Sequence, residues 1–273
     1  MKNIFYILFV VQALIFESIY AQKNELGVFL GSAGYHGDIG RDYIGGVLLD
    51  QSLAMGFIHK INFHEYLSFR SCFQIGKIKA DDANAKSIER QNRNLNFESK
   101  IIDLSLGFEF NFYKFFARPR IKRSTPYIYA GISYFKFNPQ AKNSMNILVD
   151  LQTLGTEGQG TNLTAIEKYN LSNWAIPFGF GYKTNFGKSI SLGIEWIWRA
   201  SQTDYLDDVS KYYVDEIYLT SESAEMANPS ENQTIAGKKR GNPNNKDWYN
   251  FTGITLSYKI KNKPLKCPKE LLP

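Results

Sequence analysis

Apolar and polar residues take turns along much of this chain. From residue 102 to residue 112 the even positions are Ile102, Leu104, Leu106, Phe108, Phe110 and Phe112. The odd positions between them are Asp103, Ser105, Gly107, Glu109 and Asn111. A period of two places successive side chains on opposite faces of a strand, whereas a helical face recurs about every 3.6 residues. The same order returns in Trp174, Ile176, Phe178, Phe180 and Tyr182, again in Ile190, Leu192, Ile194, Trp196 and Trp198, in Leu67, Phe69, Phe73 and Ile75, and in Ile254, Leu256 and Tyr258. Weaker alternation over residues 25–34, 48–63 and 127–137 brings the expected number of strands to eight. Pro177 lacks an N–H for the ladder, so a bulge or a local break is expected there.

The connections fall into two kinds. A few residues follow the second and sixth strands, and about a dozen follow the fourth. Much longer stretches follow the first, third, fifth and seventh, the two largest at residues 138–171 and 202–248. Long loops at one end and short turns at the other describe an outer-membrane barrel. The fold class is therefore all-β: an eight-stranded antiparallel transmembrane β-barrel with long extracellular loops and short periplasmic turns. A soluble ligand-binding barrel also alternates, but its water-facing side should carry many long polar side chains. Here the second face holds Gly107, Gly131, Ala175, Gly179, Gly181 and Gly193 with a few charges. Small residues and paired charges suit the narrow interior of eight strands. Asp103, Glu109 and Glu195 are expected to meet Arg70, Lys183 and Arg199 inside. The aromatic residues add two belts, Trp174, Trp196, Trp198 and Trp248 at the long-loop ends, and Phe112, Tyr127, Tyr182 and Tyr258 at the short-turn ends.

The N-terminus agrees with export. Lys2 precedes an apolar run from Ile4 to Phe16, broken only by Gln12, and Ser18-Ile19-Tyr20-Ala21 leads to Gln22. That is the layout of a secretory signal peptide, with cleavage expected after Ala21. The division is thus signal peptide 1–21, barrel 22–260 and periplasmic basic tail 261–273. Placement in the bacterial outer membrane follows, with lipid as one partner. A formal charge of +6 on 273 residues is modest, and nucleic acid is not an expected partner.

Candidate chemistry is sparse. Two cysteines, Cys72 and Cys267, make no disulfide framework. Cys72 is expected inside the barrel and Cys267 beyond its last strand, too far apart for an easy bridge. His36 lies near Ser32 and Asp38, which allows an acid–base pair or simply a polar loop histidine. His59 and His64 lack neighbours at metal-ligand spacing. Asp204, Asp207 and Asp208 offer carboxylates for a cation or for hydrogen bonding within their loop. The glycine-rich run from Gly155 to Thr161 lacks the lysine of a phosphate loop. No catalytic residue, metal ligand or cofactor site is assigned, and the chain is not expected to be an enzyme. Two basic clusters face the short-turn side: Arg118, Arg120, Lys122 and Arg123 in the second turn, and Lys261, Lys263 and Lys266 around Cys267. Each is either a dock for a partner or a basic edge beside lipid headgroups.

Several segments resemble the PorG-type barrels of Bacteroidetes. They are Gly27-Val28-Phe29-Leu30-Gly31-Ser32 with Gly37-Asp38-Ile39-Gly40, then Arg93-Asn94-Leu95-Asn96-Phe97, then Leu154-Gly155-Thr156-Glu157-Gly158-Gln159-Gly160-Thr161. Thr203-Asp204-Tyr205-Leu206-Asp207-Asp208-Val209-Ser210 follows, and the set ends with Gly241-Asn242-Pro243 and Asn245-Lys246-Asp247-Trp248-Tyr249. The resemblance implies a structural component of the type IX secretion system, which exports proteins and supports gliding motility in some bacteria. It implies, as partners, the periplasmic ring proteins of that system, a lipoprotein and its companion. The alternative is a free-standing barrel whose outer loops bind a ligand or a surface partner. If Cys267 joins a partner, non-reducing gels of native envelopes should show a disulfide-linked complex that Cys267→Ser removes; an unchanged complex in the variant rules out that link.

Overall fold

The computed structural model describes residues 23–43, 45–115, 123–161, 166–186, 189–230 and 236–260. Its strands are β1 (Lys23–His36), β2 (Ser52–Asn62), β3 (Leu67–Asp81), β4 (Asn96–Asn111), β5 (Ser124–Lys136), β6 (Pro139–Lys142), β7 (Leu148–Asp150), β8 (Ser172–Phe186), β9 (Ile190–Ser201) and β10 (Trp248–Lys259). Eight of them run antiparallel in the order β3-β2-β1-β10-β9-β8-β5-β4, and β4 pairs back onto β3, which closes the barrel. Closure leaves the ring itself no free edge strand. The short hairpin β6–β7 lies outside the ring, attached to β4. Short helices occur only between strands: α1 (Ile88–Arg93), α2 (Leu151–Leu154) and α3 (Ser221–Ala227). Among the described residues no helix is long and apolar enough to cross a membrane.

The two faces sort as the alternation requires. On β4, Asp103, Ser105, Glu109 and Asn111 are buried inside while Phe108 and Phe110 point outward. The outward surface forms an apolar band around the cylinder, with Leu30 60%, Leu53 69% and Phe57 68% exposed. Along its short-turn edge Tyr66 stacks on Phe110, which meets Phe112 edge to face, and Trp174, Trp198 and Trp248 pack on Tyr134 and Phe178 toward the long-loop edge.

Inside, the ionic pairs form as expected from sequence. Arg70 grips Glu195 with two bonds of 2.7 Å, Lys183 reaches Glu109, and Arg199 lies 3.5 Å from Asp103. Lys60 joins them at 2.9 Å from Glu109, and the Tyr127 hydroxyl donates to Glu195 at 2.7 Å. Cys72 faces inward, taking a bond from Arg70 Nε at 2.9 Å. Such charges persist in a low-dielectric space only because each has an opposite partner.

Several expectations change. Tyr127 does not belong to the outer belt; it faces the interior, because it shares the parity of Thr125 and Tyr129. Trp196 lies in the middle of β9, stacked on Trp198 at 4.3 Å, and not at the strand's end. At Pro177 the ladder to β5 is interrupted between the Ala130–Phe178 and Ser133–Ala175 pairs, yet pairing to β9 continues in register. The proline therefore makes a local break without a bulge. β3 and β4 run past their apolar stretches, to Asp81 and from Asn96, as a hairpin whose outward face is charged, with Lys77 2.7 Å from Glu98. There the apolar parity is reversed, with Ile78, Ala80 and Phe97 inward and lysines outward, the opposite of a lipid-facing strand. The largest change is inside. The long-loop half of the interior is not small and ionic but a hydrophobic core of Phe29, Ile78, Phe97, Ile101, Phe135 and Phe251. Large apolar groups fit there because the loops roof them.

Removing Glu109 leaves Lys60 and Lys183 without their shared anion. Glu109→Ala is expected to destabilise the barrel by about 3–5 kcal/mol, measured as a lowered urea midpoint in detergent, with Lys183→Met in the same chain restoring part of the loss. An unchanged midpoint would show that the lumen hydrates these lysines.

Candidate functional site: a polar cap over the barrel

The four long connections close over the barrel in one interlocked cap, and the segments singled out in the sequence meet there. From the β1–β2 loop, Asp38 accepts the Asn242 N–H at 2.6 Å. Gly40, at φ +90°, gives its N–H to Asp82 at 2.9 Å; a side chain there would also strike Ala80. Asp82 sits at the tip of the β3–β4 hairpin and takes Arg93 at 2.7 Å and Leu95 N–H at 3.2 Å. Arg93 ends α1, a helix capped by Ser87 and closed by Asn94 in the left-handed region at φ 55°. Its remaining N–H groups donate to the carbonyls of Asp38 at 2.7 Å and Arg240 at 2.6 Å. One guanidinium thus joins three loops.

The glycine-rich run is a shaped loop. α2 ends at Gly155, and Gly155, Gly158 and Gly160 all take positive φ, which other residues adopt at a cost. The turn presents Glu157, whose Oε1 accepts Ser210 N–H at 2.9 Å, Lys211 N–H at 3.1 Å and Arg240 at 3.3 Å. Thr156 and Tyr169 donate to Asp208, and Tyr169 stacks on Tyr205 with centroids 4.5 Å apart. Arg240 also donates to the carbonyls of Asp208 at 2.7 Å and Ala227 at 3.3 Å. Tyr35, the last inward residue of β1, reaches up to Asp207 at 2.5 Å and Asp247 at 3.1 Å. Asp207 and Asp247 also take the N–H groups of Val209 and Leu206 at 2.9 and 3.0 Å.

Burial sets the acidity of these groups. It pushes Asp204 and Asp208 up to about 6 and also raises Asp207, against the Tyr35 hydroxyl, the Val209 N–H and Arg93, which favour its ionised form. Burial and the neighbouring Asp207 and Asp204 charges raise Asp247 well above the ordinary carboxylate range. The carboxylates outnumber the two guanidiniums that serve them, so the cap is held by N–H and O–H donors more than by ion pairs.

The acid–base pair considered for His36 is not assembled. His36 ends β1 exposed and opposite Trp248, Asp38 is turned into the cap toward Asn242, and the Ser32 hydroxyl goes to Gln51 and the Thr252 carbonyl. Asp204, Asp207 and Asp208 diverge to Ser210, to Tyr35 and Val209, and to Thr156 and Tyr169; hydrogen bonding within the cap is their role here. Among the described residues no group of His, Cys, Asp or Glu is arranged to hold a metal. Of the residues assigned to partner contact, only Arg123 is described: it lies at the short-turn end beside β5, where its carbonyl accepts the Asn185 N–H at 3.0 Å and its side chain reaches the Lys114 carbonyl at 3.4 Å. Arg118, Arg120, Lys122, Lys261, Lys263, Lys266 and Cys267 lie outside the described residues.

Sequence reasoning did not single out Tyr35, Asp82 or Arg240, and it noted Arg93, Glu157 and Asp247 only as parts of longer segments. The available signal was the adjacency of Arg240 to Gly241 and of Asp247 to Trp248, where a loop must turn back into a strand.

A family model described as a domain of unknown function, DUF6089, matches residues 2–269. No curated protein matches the chain. Solved structures similar in fold include Ail, the attachment invasion locus protein of Yersinia pestis, at 7% identity and TM-score 0.40, covering 88% of this chain and 99% of that one. Neisserial surface protein A aligns at 8% identity and TM-score 0.42 over 87% of this chain and 97% of its own. The outer membrane protein OprG of Pseudomonas aeruginosa gives 10%, 0.42, 87% and 97%.

Arg240→Ala leaves Glu157 and Asp208 buried without their cation, a local loss of about 3–5 kcal/mol. Limited proteolysis should then cut between residues 203 and 247 while the barrel keeps its heat-modifiable migration on gels. A protease pattern identical to that of the unaltered chain would show that the guanidinium does not hold the cap.

Proposed function

This chain belongs to the DUF6089 family, and we propose that it is an outer-membrane barrel that anchors or organises a periplasmic ring of the type IX secretion machinery. The observation that carries the reading is a greasy exterior around a filled interior. Leaving a Leu, Ile or Phe side chain in water forgoes about 1.5–3 kcal/mol relative to burial. Leu30, Leu53, Phe57, Phe108, Ile132, Ile176, Phe180, Ile194 and Ile254 are each more than half exposed and all belong to the outward face of the barrel strands. Such a surface calls for lipid, and exposed aromatic groups toward both edges suit headgroup depth.

The lumen argues against a conduit. Arg70, Glu195, Lys183 and Glu109 cross it, and the cap covers its wide end. A barrel that passes nothing serves by holding a place in the membrane. The secretion assignment rests on the sequence segments that resemble PorG-type barrels, and these segments converge in space: Asp38, Arg93, Glu157, Asp207 and Asp247 all join one cap. In this orientation the cap is extracellular and Arg123, at the short-turn end, is periplasmic.

A second reading, binding of a surface partner by the outer loops, draws on three apolar side chains that stand out on the cap. Ile88, Met145 and Ile217 are each 73% exposed, well away from the band. Crosslinked pull-down from native envelopes separates the two. The ring proteins on a tagged bait, lost on neutralising Arg118, Arg120, Lys122 and Arg123, support the anchor; their absence together with an extracellular partner supports the second reading. The purified barrel is expected to give no steady ion conductance in a planar bilayer, and robust conductance would overturn the filled-lumen premise of both.

A further inference from the structure

Tyr35 has one hydroxyl hydrogen to donate, and two buried carboxylates lie within its reach. Asp207 accepts at both oxygens, Tyr35 O–H on Oδ2 at 2.5 Å and Val209 N–H on Oδ1 at 2.9 Å. That arrangement suits an ionised carboxylate. Asp247 takes the Leu206 N–H on Oδ2 at 3.0 Å, and its Oδ1 stands 3.1 Å from the phenolic oxygen. With the phenol hydrogen directed to Asp207, an ionised Oδ1 would face a lone pair. A protonated Oδ1 donates to that lone pair and completes the chain. We propose that Asp247 carries a proton in the closed cap, so that Asp247–Tyr35–Asp207 forms a proton-dependent latch that is tightest in acid and slackens as the pH rises.

The surroundings favour that proton. Asp38 from the β1–β2 loop and Asp204 from the same loop as Asp207 add negative charge beside the pair. Arg93, from the end of α1, is the guanidinium that opposes ionisation loss at Asp207, and Lys246 acts on Asp204. Tyr35, Asp207 and Asp247 are all buried. The latch joins a barrel strand to both ends of the 202–247 loop, so breaking it frees the largest segment of the cap.

The direction follows from linkage. In an opened cap Asp247 meets water and titrates near the ordinary value of about 3.9. In the closed cap its affinity for the proton is raised. At Asp247 the closed form therefore binds one more proton than the open form across the interval between the two values. Its stabilisation is complete below the ordinary carboxylate range. It falls as pH rises, the opening constant growing by up to ~tenfold per pH unit. The change ends once the pH passes the closed-state value.

The test compares the full chain and two variants in native envelopes, digested with proteinase K from pH 6 to 9.5. Asp247→Asn keeps an acceptor for Leu206 N–H and sets an amide N–H against the Tyr35 oxygen, which mimics the protonated acid. The ratio of unaltered to Asp247→Asn cleavage rates in the 202–247 loop cancels the protease's own pH profile. It is expected to rise with pH by up to ~tenfold per unit and then level off. Asp207→Asn has one acceptor for two donors and should be cut faster than the unaltered chain at every pH. A flat ratio overturns the proposal. So does protection by Asp207→Asn in place of Asp247→Asn. Failure of Asp247→Asn to reach the heat-modifiable folded form overturns it as well, because a neutral isostere must fit a cap that already holds a proton.

Discussion

A cylinder of eight strands is too narrow to hydrate the charged groups inside it, so each must find its partner within the wall. Lys60, Arg70, Lys183 and Arg199 stand against Glu25, Asp103, Glu109 and Glu195, all buried. The members come from different strands: Arg70 on β3 meets Glu195 on β9, and Lys183 on β8 meets Glu109 on β4. Arg70 and Glu195 face each other across the lumen, four strands apart in either direction, whereas Lys183 reaches Glu109 over the intervening β5; the first pair needs the closed ring. Closure thus completes the charge pairing at Arg70 and Glu195, and a strand displaced by one residue would turn its charge toward the apolar exterior.

Above this ionic layer the interior changes character. Arg199 lies over Phe251 at 4.4 Å, where the last charge meets the first large apolar group. Phe29, Phe97, Phe135 and Phe251 then fill the space up to the cap. These rings stay dry because the loops cover them, and the loops hold their place because Tyr35 and Tyr249 tie the apolar layer to polar groups on either side, Tyr35 to Asp207 above and Tyr249 to Asp103 below at 2.8 Å. The wide end of the barrel is thus sealed twice, by packing and by hydrogen bonds.

The cap's chemistry is consistent with holding a shape. Buried carboxylates that accept backbone N–H groups replace the regular ladder where the chain must turn, and they do so at the tips of all four long connections. A rigid cap gives fixed positions to the side chains that stand clear of it, Ile88, Met145 and Ile217 among them. The cap closes one end of the cylinder, above the apolar band.

Much of this was legible in one dimension. The alternation in β4, β8 and β9 determined strand type and facing, because side-chain direction in a strand depends only on parity. It also named the inward ions Arg70, Asp103, Glu109, Lys183, Glu195 and Arg199. Parity could not say which of them meet, since pairing across the lumen depends on strand order around the ring. It did not find the hairpin extension of β3 and β4, where the apolar parity reverses: Ile78, Ala80, Phe97 and Ile101 point into the core and Lys77, Lys79 and Lys100 point outward. Nor could it show that Asp38, Arg93, Glu157, Asp207 and Asp247, spread over more than two hundred residues, would share one cap. Their meeting depends on four loops being brought to the same end by antiparallel closure, and only the folded cylinder brings about that convergence.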